Sequence, residues 1–178
     1  MIKKLTFEEL VESRPTPEQA KSFPKHPIYG IVDNVRSLYN VGSIFRTADG
    51  AGIQKLFLCG ITGTPPKTEI HKTALGAEEN VAWEYVKDPV EVVQKLKGEG
   101  IQIVVLEHTT ESIHFQKADF RYPTCLVVGH EHHGISEGII QLSDQAIEIP
   151  MYGLKGSLNV GVAFGIAAYQ IIWRLENF

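Results

Sequence analysis

Three short stretches hold most of the groups in this chain that could do chemistry. In the first, Asn40 and Arg46 stand six positions apart across an expected helix start. They fall on different turns, yet both can serve a ligand if that helix start faces a pocket. The plainer alternative is an Asn that caps and an Arg that is solvated. In the second, GHEHHG at 129–134 follows a buried apolar run, with Glu131 near its middle and a glycine at each end. Such glycines let backbone N–H and C=O groups come close to a ligand. His130, His132 and His133 raise a metal reading, since neutral imidazole is a common zinc ligand. Position 134 is Gly, however, so the i, i+4 histidine pair of a metal-binding helix is missing; a solvated or substrate-facing loop ranks well ahead. In the third, IPMYGLKGSLNVG at 149–161 runs from a strand end through Pro150, Gly153 and Gly156 into a helix. Ser157 could be only a cap, but a run so rich in glycine ahead of an apolar helix is what a backbone-lined pocket needs.

Other catalytic signatures are missing. The chain has no GxxxxGK[ST], no GxGxxG spacing and no GxSxG elbow, which ranks phosphate-loop, dinucleotide and serine-hydrolase chemistry low.

The elements that must position these stretches follow from periodicity and breakers. Thr6 to Glu9 and Thr16 to Gln19 have capping-box spacing, Pro17 suits a first helical position, and FPKHP stops the helix; residues 1–25 are therefore a short helical arm before a domain over 26–178. Ile28 to Val32 is a first strand. Asn40 is expected to cap a helix with Val41, Ile44, Phe45 and Ala48 on one stripe, ended by Gly50 and Gly52. Residues 55–59 form a second strand, and GITGTPPKTEIHK a loop with Lys67, His71 and Lys72 at its tip. A short strand follows at Trp83 to Val86. Asp88 and Pro89 open a helix lined by Val92, Val93 and Leu96, which Gly98 or Gly100 closes. Strands at 101–106, 125–129 and 146–149, a helix from Ser136 to Leu142, and a long apolar helix from Ser157 or Asn159 to about Leu175 complete the pattern. Strands apolar on both faces that alternate with helices mean an α/β domain with a mainly parallel sheet flanked by helices. Ligands of such sheets bind where loops leave the carboxyl ends of strands, and all three stretches fall there.

The 178 residues suffice for one domain with a sizeable core, and no apolar run reaches the length of a membrane span. The polar, acidic start does not resemble a secretory leader, so the expected location is cytoplasmic with no membrane partner. A formal net charge of −4 excludes a protein that coats nucleic acid through bulk positive charge, so any RNA contact must be local. Cys59 and Cys125 are too few and too far apart for a disulfide framework or zinc motif, and buried free thiols are expected.

NVRSLYNVGSIFRT at 34–47, GHEHHGIS at 129–136 and IPMYGLKGSLNV at 149–160, in that order, resemble the three motifs of the SpoU/TrmH-like RNA ribose 2′-O-methyltransferases. HKTALGAEENVAWEY at 71–85 is similar to the family's intervening segment, and the likeness extends over about residues 28–175. The resemblance implies the SPOUT fold, with a C-terminal trefoil knot that general topology rules alone would vote against. It implies a homodimer whose active site is completed across the interface, and S-adenosylmethionine as methyl donor without a metal. The donor is then held largely by backbone near Leu106, Gly129, Ile149, Met151, Ser157 and Leu158. The family's catalytic group maps to Arg46, supported by Asn40, Glu131, Ser157 and Asn159. A guanidinium keeps its proton at any biological pH, so Arg46 is better suited to clamp a phosphate and stabilise a developing alkoxide than to act as a base. The chain departs from the common pattern at His130, where Asn is frequent, and at Gly161, where Ser is frequent. The expected substrate is RNA, a transfer RNA ahead of a ribosomal one, with Arg36, Lys67, Lys72 and Lys155 as candidate phosphate contacts. A catalytically silent RNA-binding dimer and a metal-dependent hydrolase built on the histidine loop are the alternatives.

Overall fold

Thr6 and Thr16 each accept a hydrogen bond from the third residue of the helix that follows, while Glu9 and Gln19 return one, so both expected capping boxes close. They start α1 (Phe7–Glu12) and α2 (Pro17–Ser22), and α1 buries none of its residues. In this computed structural model, which describes residues 1–177, β1 (His26–Asp33) begins the core. It is followed by α3 (Leu38–Gly50), β2 (Ile53–Cys59), α4 (Thr68–Ala74), α5 (Ala77–Asn80), β3 (Trp83–Val86) and α6 (Pro89–Gly98). Then come β4 (Gln102–Leu106), β5 (Ile113–His114), β6 (Thr124–Val128), α7 (Glu137–Leu142), β7 (Gln145–Glu148) and α8 (Val160–Asn177).

The strands form one sheet in the order β3-β2-β1-β6-β4-β7-β5, and each described pair is parallel. Side chains alternate across it. Ile28, Val32, Leu58, Val104, Leu126 and Val128 join the cluster that holds the buried residues of α3 and α8, whereas Ile31, Phe57, Ile103, Val105 and Val127 join that of α6 and α7. Burial on both faces explains why these strands read as continuous apolar runs. Gly161 and Gly165 bring α8 close to α3: a Cβ on either would lie 3.2 Å from Ser43 Cβ or 3.6 Å from Thr47 Cγ2. Cys59 and Cys125 are buried free thiols, as expected. Burial pushes the Cys59 thiol up to about 12 and raises Cys125 further, so both stay protonated. Among the described residues, no helix is long and apolar enough to cross a membrane.

Two expectations change. Asn40 does not cap α3; Ser37 does, accepting the Asn40 N–H on Oγ at 3.4 Å. Asn40 lies in the first turn instead, and its side-chain amide is used elsewhere. GITGTPPKTEIHK is not all loop, because residues 68–74 form α4 and so place His71 and Lys72 on a helix. Ile70 and Ala74, four apart, are the buried pair that holds this seven-residue helix in place, and Thr73 Oγ1 donates to Tyr39 O at 2.9 Å. One such pair beside two prolines is too weak a periodic signal to read locally. The choice left open for the start of the last helix falls on Asn159, whose Oδ1 accepts the N–H groups of Gly161 and Val162 at 3.0 and 3.3 Å.

Candidate active site

The neighbouring strands β1, β6, β4 and β7 release their loops at one edge of the sheet. The loop after β6 is drawn into a tight turn by His130 N–H to Gly134 O at 3.0 Å and Gly134 N–H to His130 O at 2.9 Å. Gly134 adopts φ +69°, and a Cβ on Gly129 would run into the Gly134 carbonyl, so both positions demand glycine.

From this turn Glu131 reaches the amino end of α3. Its Oε2 accepts the Arg36 N–H at 3.0 Å, and its Oε1 accepts the Ser37 N–H and the Asn40 side-chain amide, both at 3.0 Å. Unpaired N–H groups at a helix start favour an anion there. Partial burial raises the Glu131 carboxyl, but the hydrogen bonds from Arg36, Ser37, its own backbone and Asn40 outweigh it and hold it below the usual range. Asn40 extends the chain: its Oδ1 accepts Asn159 Nδ2 at 2.9 Å. Glu131, Asn40 and Asn159 therefore tie the amino ends of α3 and α8 to the β6 loop.

Two more carboxylates hold that loop from below. Asp33, fully buried at the end of β1, accepts the Ser136 N–H at 2.7 Å. Glu107, just past β4, accepts the Ile135 N–H on Oε2 and the His108 N–H on Oε1, both at 2.9 Å. His108 Nδ1 lies 3.2 Å from Glu148 Oε2 at the end of β7. Sequence reasoning passed over Asp33, Glu107, His108 and Glu148; their place directly at strand ends is the signal that could have found them.

These groups surround a cavity of about 470 Å³, within the range of small-molecule sites. Leu106, Gly129, Ile149, Met151, Ser157 and Leu158 all line it, with Glu131 and Asn159. Asn40 joins them through its hydrogen bonds. Arg46 does not line this cavity; it is exposed on α3, on the stripe of Ser43, Thr47 and Gly50. The outer wall is open, because residues 152–159 are exposed, Tyr152 to 93% and Leu154 to 100%. Arg36, Lys67, Lys72 and Lys155 are exposed as well, Lys67 at the start of α4 and Lys155 in the open wall.

The SpoU rRNA methylase family matches residues 27–169. A tRNA (guanosine(18)-2′-O)-methyltransferase of Aquifex aeolicus is 39% identical over 138 residues, covering 78% of this chain and 65% of that relative. The chain thus spans just under two thirds of such a relative's length. In structure it is similar to the A. aeolicus TrmH/SpoU tRNA modifying enzyme, with a TM-score of 0.81 at 34% identity over 90% of this chain and 81% of that one. It is also similar to an AdoMet-bound rRNA methyltransferase from Sinorhizobium meliloti, with a TM-score of 0.78 at 26% identity over 88% of this chain and 60% of that one.

Proposed function

The chain belongs to the SpoU rRNA methylase family, and from that premise we propose that it moves a methyl group from S-adenosylmethionine to a ribose 2′-OH of RNA. One observation carries the reading: two of the three motif stretches, far apart in sequence, line one cavity at the carboxyl edge of a parallel sheet, and the first is tied to them by the Glu131–Asn40–Asn159 chain. Transfer RNA is favoured as substrate, with ribosomal RNA second, in line with the names of the relatives above.

The residues present fit the donor. A glycine turn that a Cβ would obstruct, backbone at Leu106, Ile149 and Leu158, and apolar walls from Val128 and Met151 suit a nucleoside carrying a sulfonium. The donor supplies an activated methyl whose positive charge disperses on transfer, which a less polar wall favours. Glu131 keeps the α3 and α8 ends in register beside it, and Ser157 and Asn159 frame the mouth. Arg46 clamps the phosphate next to the target ribose and stabilises the alkoxide as it forms, its own proton staying in place, while the 2′-OH proton is lost late or to solvent.

That role for Arg46 requires a second copy. Val162, Ile166, Tyr169 and Trp173 make an exposed stripe at i, i+4, i+7 and i+11 along α8, an unusual run of apolar surface for a helix. Arg46 is exposed on α3 beside Thr47, which faces α8, and lies outside its own cavity. In the homodimer we propose, the α8 stripes pair and each Arg46 completes its partner's site. We propose further that the stretch between β7 and α8, which leads into the helix that packs on α3, forms the C-terminal trefoil knot that the family resemblance implies. The domain over 26–178 carries the activity, preceded by the 1–25 arm, and works in the cytoplasm.

Incubation of the purified protein with radiolabelled S-adenosylmethionine and transfer RNA tests the reading, with mass spectrometry locating the modified ribose. Label in a 2′-O-methylnucleoside is the expected result. Donor affinity without transfer to any RNA would favour the silent RNA-binding dimer, and no affinity for the donor by calorimetry would sink both.

A further inference from the structure

Inside the 130–134 turn, the backbone N–H groups of His132 and His133 both end on one side-chain atom, His130 Nδ1, at 3.0 and 3.3 Å. An imidazole nitrogen accepts only through its lone pair, so the neutral ring here carries its proton on Nε2. The imidazolium form is incompatible with this arrangement, because both of its nitrogens donate. A side-chain acceptor that gathers N–H groups two and three residues onward is how Asn and Asp hold tight turns, and here a histidine does it. The residue inside that turn is Glu131, whose carboxylate takes the Arg36, Ser37 and Asn40 donors.

We propose that His130 is a positioning residue of the donor cavity: as a neutral ring it locks the turn that aims Glu131 at the start of α3, and its protonation releases the turn and weakens donor binding. The affinity consequence rests on the methyl-donor reading above; the lock itself does not. The charged and titratable groups around the ring come from three places. Its own loop supplies Glu131, His132 and His133, the two rings 6.0 and 4.6 Å away between centroids. The end of β4 supplies Glu107 and His108, and the end of β7 supplies Glu148, all lining the same cavity. The carboxylates favour a charged His130, but each is already engaged, Glu131 by three donors, Glu107 by the Ile135 and His108 N–H groups, and Glu148 by His108. Against the charged form stand the neighbouring rings and the two N–H groups that would lose their acceptor. The lock therefore opens on protonation of the ring itself, because the imidazolium has no lone pair left for the His132 and His133 N–H groups.

Two readouts test this. Long-range proton–nitrogen NMR on the full chain at pH 8 should show His130 Nδ1 as the unprotonated nitrogen. Calorimetry with S-adenosylhomocysteine, the demethylated product, should show wild-type affinity falling roughly tenfold between pH 8 and pH 5.5, as expected for loss of one or two ordinary hydrogen bonds. His130→Asn keeps an acceptor within reach of the same N–H groups and lacks a titratable ring, so its affinity should change less than about twofold over that range, while a His132→Asn/His133→Asn double variant should follow the wild type. His130→Ala should bind weakly at both pH values. A proton on Nδ1 at pH 8, or an unchanged pH response in His130→Asn, overturns the proposal. Failure of wild type to bind the product at pH 8 overturns the donor reading and its affinity consequence together, while the nitrogen signals still decide whether the lock exists.

Discussion

The inner and outer walls of the cavity are built in opposite ways. On the inner side, Asp33 and Glu107 each accept one backbone N–H from the β6 loop, Glu131 accepts two ahead of α3, and the Asn40–Asn159 bond closes the set. The outer side consists of the open 152–159 stretch, the apolar stripe of α8 and Arg46, none of which finds comparable cover within the chain. On the proposed reading the contrast is a division of labour: the donor half of the site is preorganised by one fold, whereas the substrate half would be completed by a second copy and RNA. Preorganised charge-assisted hydrogen bonds cost no reorganisation when a ligand enters, and an unfinished wall leaves room for a large substrate to approach.

The sharpest way to break this comparison is at Arg46. Arg46→Ala should lower methyl transfer by about 10²–10³-fold, the usual loss on removing one group that stabilises developing charge, with product affinity within about twofold of wild type. Steady-state rates and calorimetry on the same preparation separate the two halves. An equal loss in donor binding would place Arg46 on the inner wall and erase the distinction. A pH–rate profile of Arg46→Lys parallel to wild type supports the clamp role, and a profile displaced by the substitution argues for a base.

Next in size is the apolar stripe. Tyr169→Glu puts a charge at an exposed mid-helix position, where it should cost the isolated fold little, yet it should raise the dimer dissociation constant by about 30-fold or more. Sedimentation at several concentrations reads this directly. Transfer activity should fall with dimer content and recover at high protein concentration; a variant that stays dimeric would show that α8 is not the contact.

On the inner wall, Glu131→Gln leaves one acceptor oxygen where three donors converge and turns an N–H₂ group toward at least one of them. Product affinity should drop about tenfold, from the loss of hydrogen bonds to a charged group. The thermal midpoint should fall too, and the sign of its pH dependence follows from the depressed folded-state carboxyl. The stabilisation is complete above the ordinary value of 4.5 and disappears as pH drops through the lower folded-state value. The gap between wild type and Glu131→Gln should therefore be constant at neutral pH and close only below about pH 4.5.

The two walls also differed in how far the sequence revealed them. The described strands other than the two-residue β5 (Ile113–His114), the buried stripe of α3 and the three motif stretches were legible, because apolar period and breaker residues are local signals. The inner-wall wiring was not: Asn40 and Asn159 are 119 positions apart and Asn40 and Glu131 are 91 apart. No local spacing reports which loops a parallel sheet sets side by side. Asn40 shows the cost of reading locally, since an Asn at a helix start looks like a cap until Ser37 is seen to do that work. Helix α4 stayed hidden because one buried pair is its whole periodic signal. Arg46 is the reverse case, conspicuous within a motif yet standing outside the cavity its own chain forms.

The smallest expected effect lies on the open surface beyond both walls. Lys72 is exposed on α4, and Lys155 stands in the unsupported 152–159 stretch. With a formal net charge of −4, the molecule cannot hold RNA by general attraction, so single cations near the mouth should matter individually but modestly. Lys155→Ala should weaken RNA affinity by less than about tenfold and lower the slope of log affinity against log salt by about one, with product affinity unchanged. Lys72→Ala should do the same only if α4 takes part in the RNA footprint. Comparing the two salt slopes therefore asks whether the substrate-facing surface stops at the open stretch or continues across α4, where helix geometry fixes the cation more firmly than an exposed loop does. Equal slopes for both variants and the wild type would remove phosphate contact from this edge and leave RNA to be held by Arg46 and its surroundings alone.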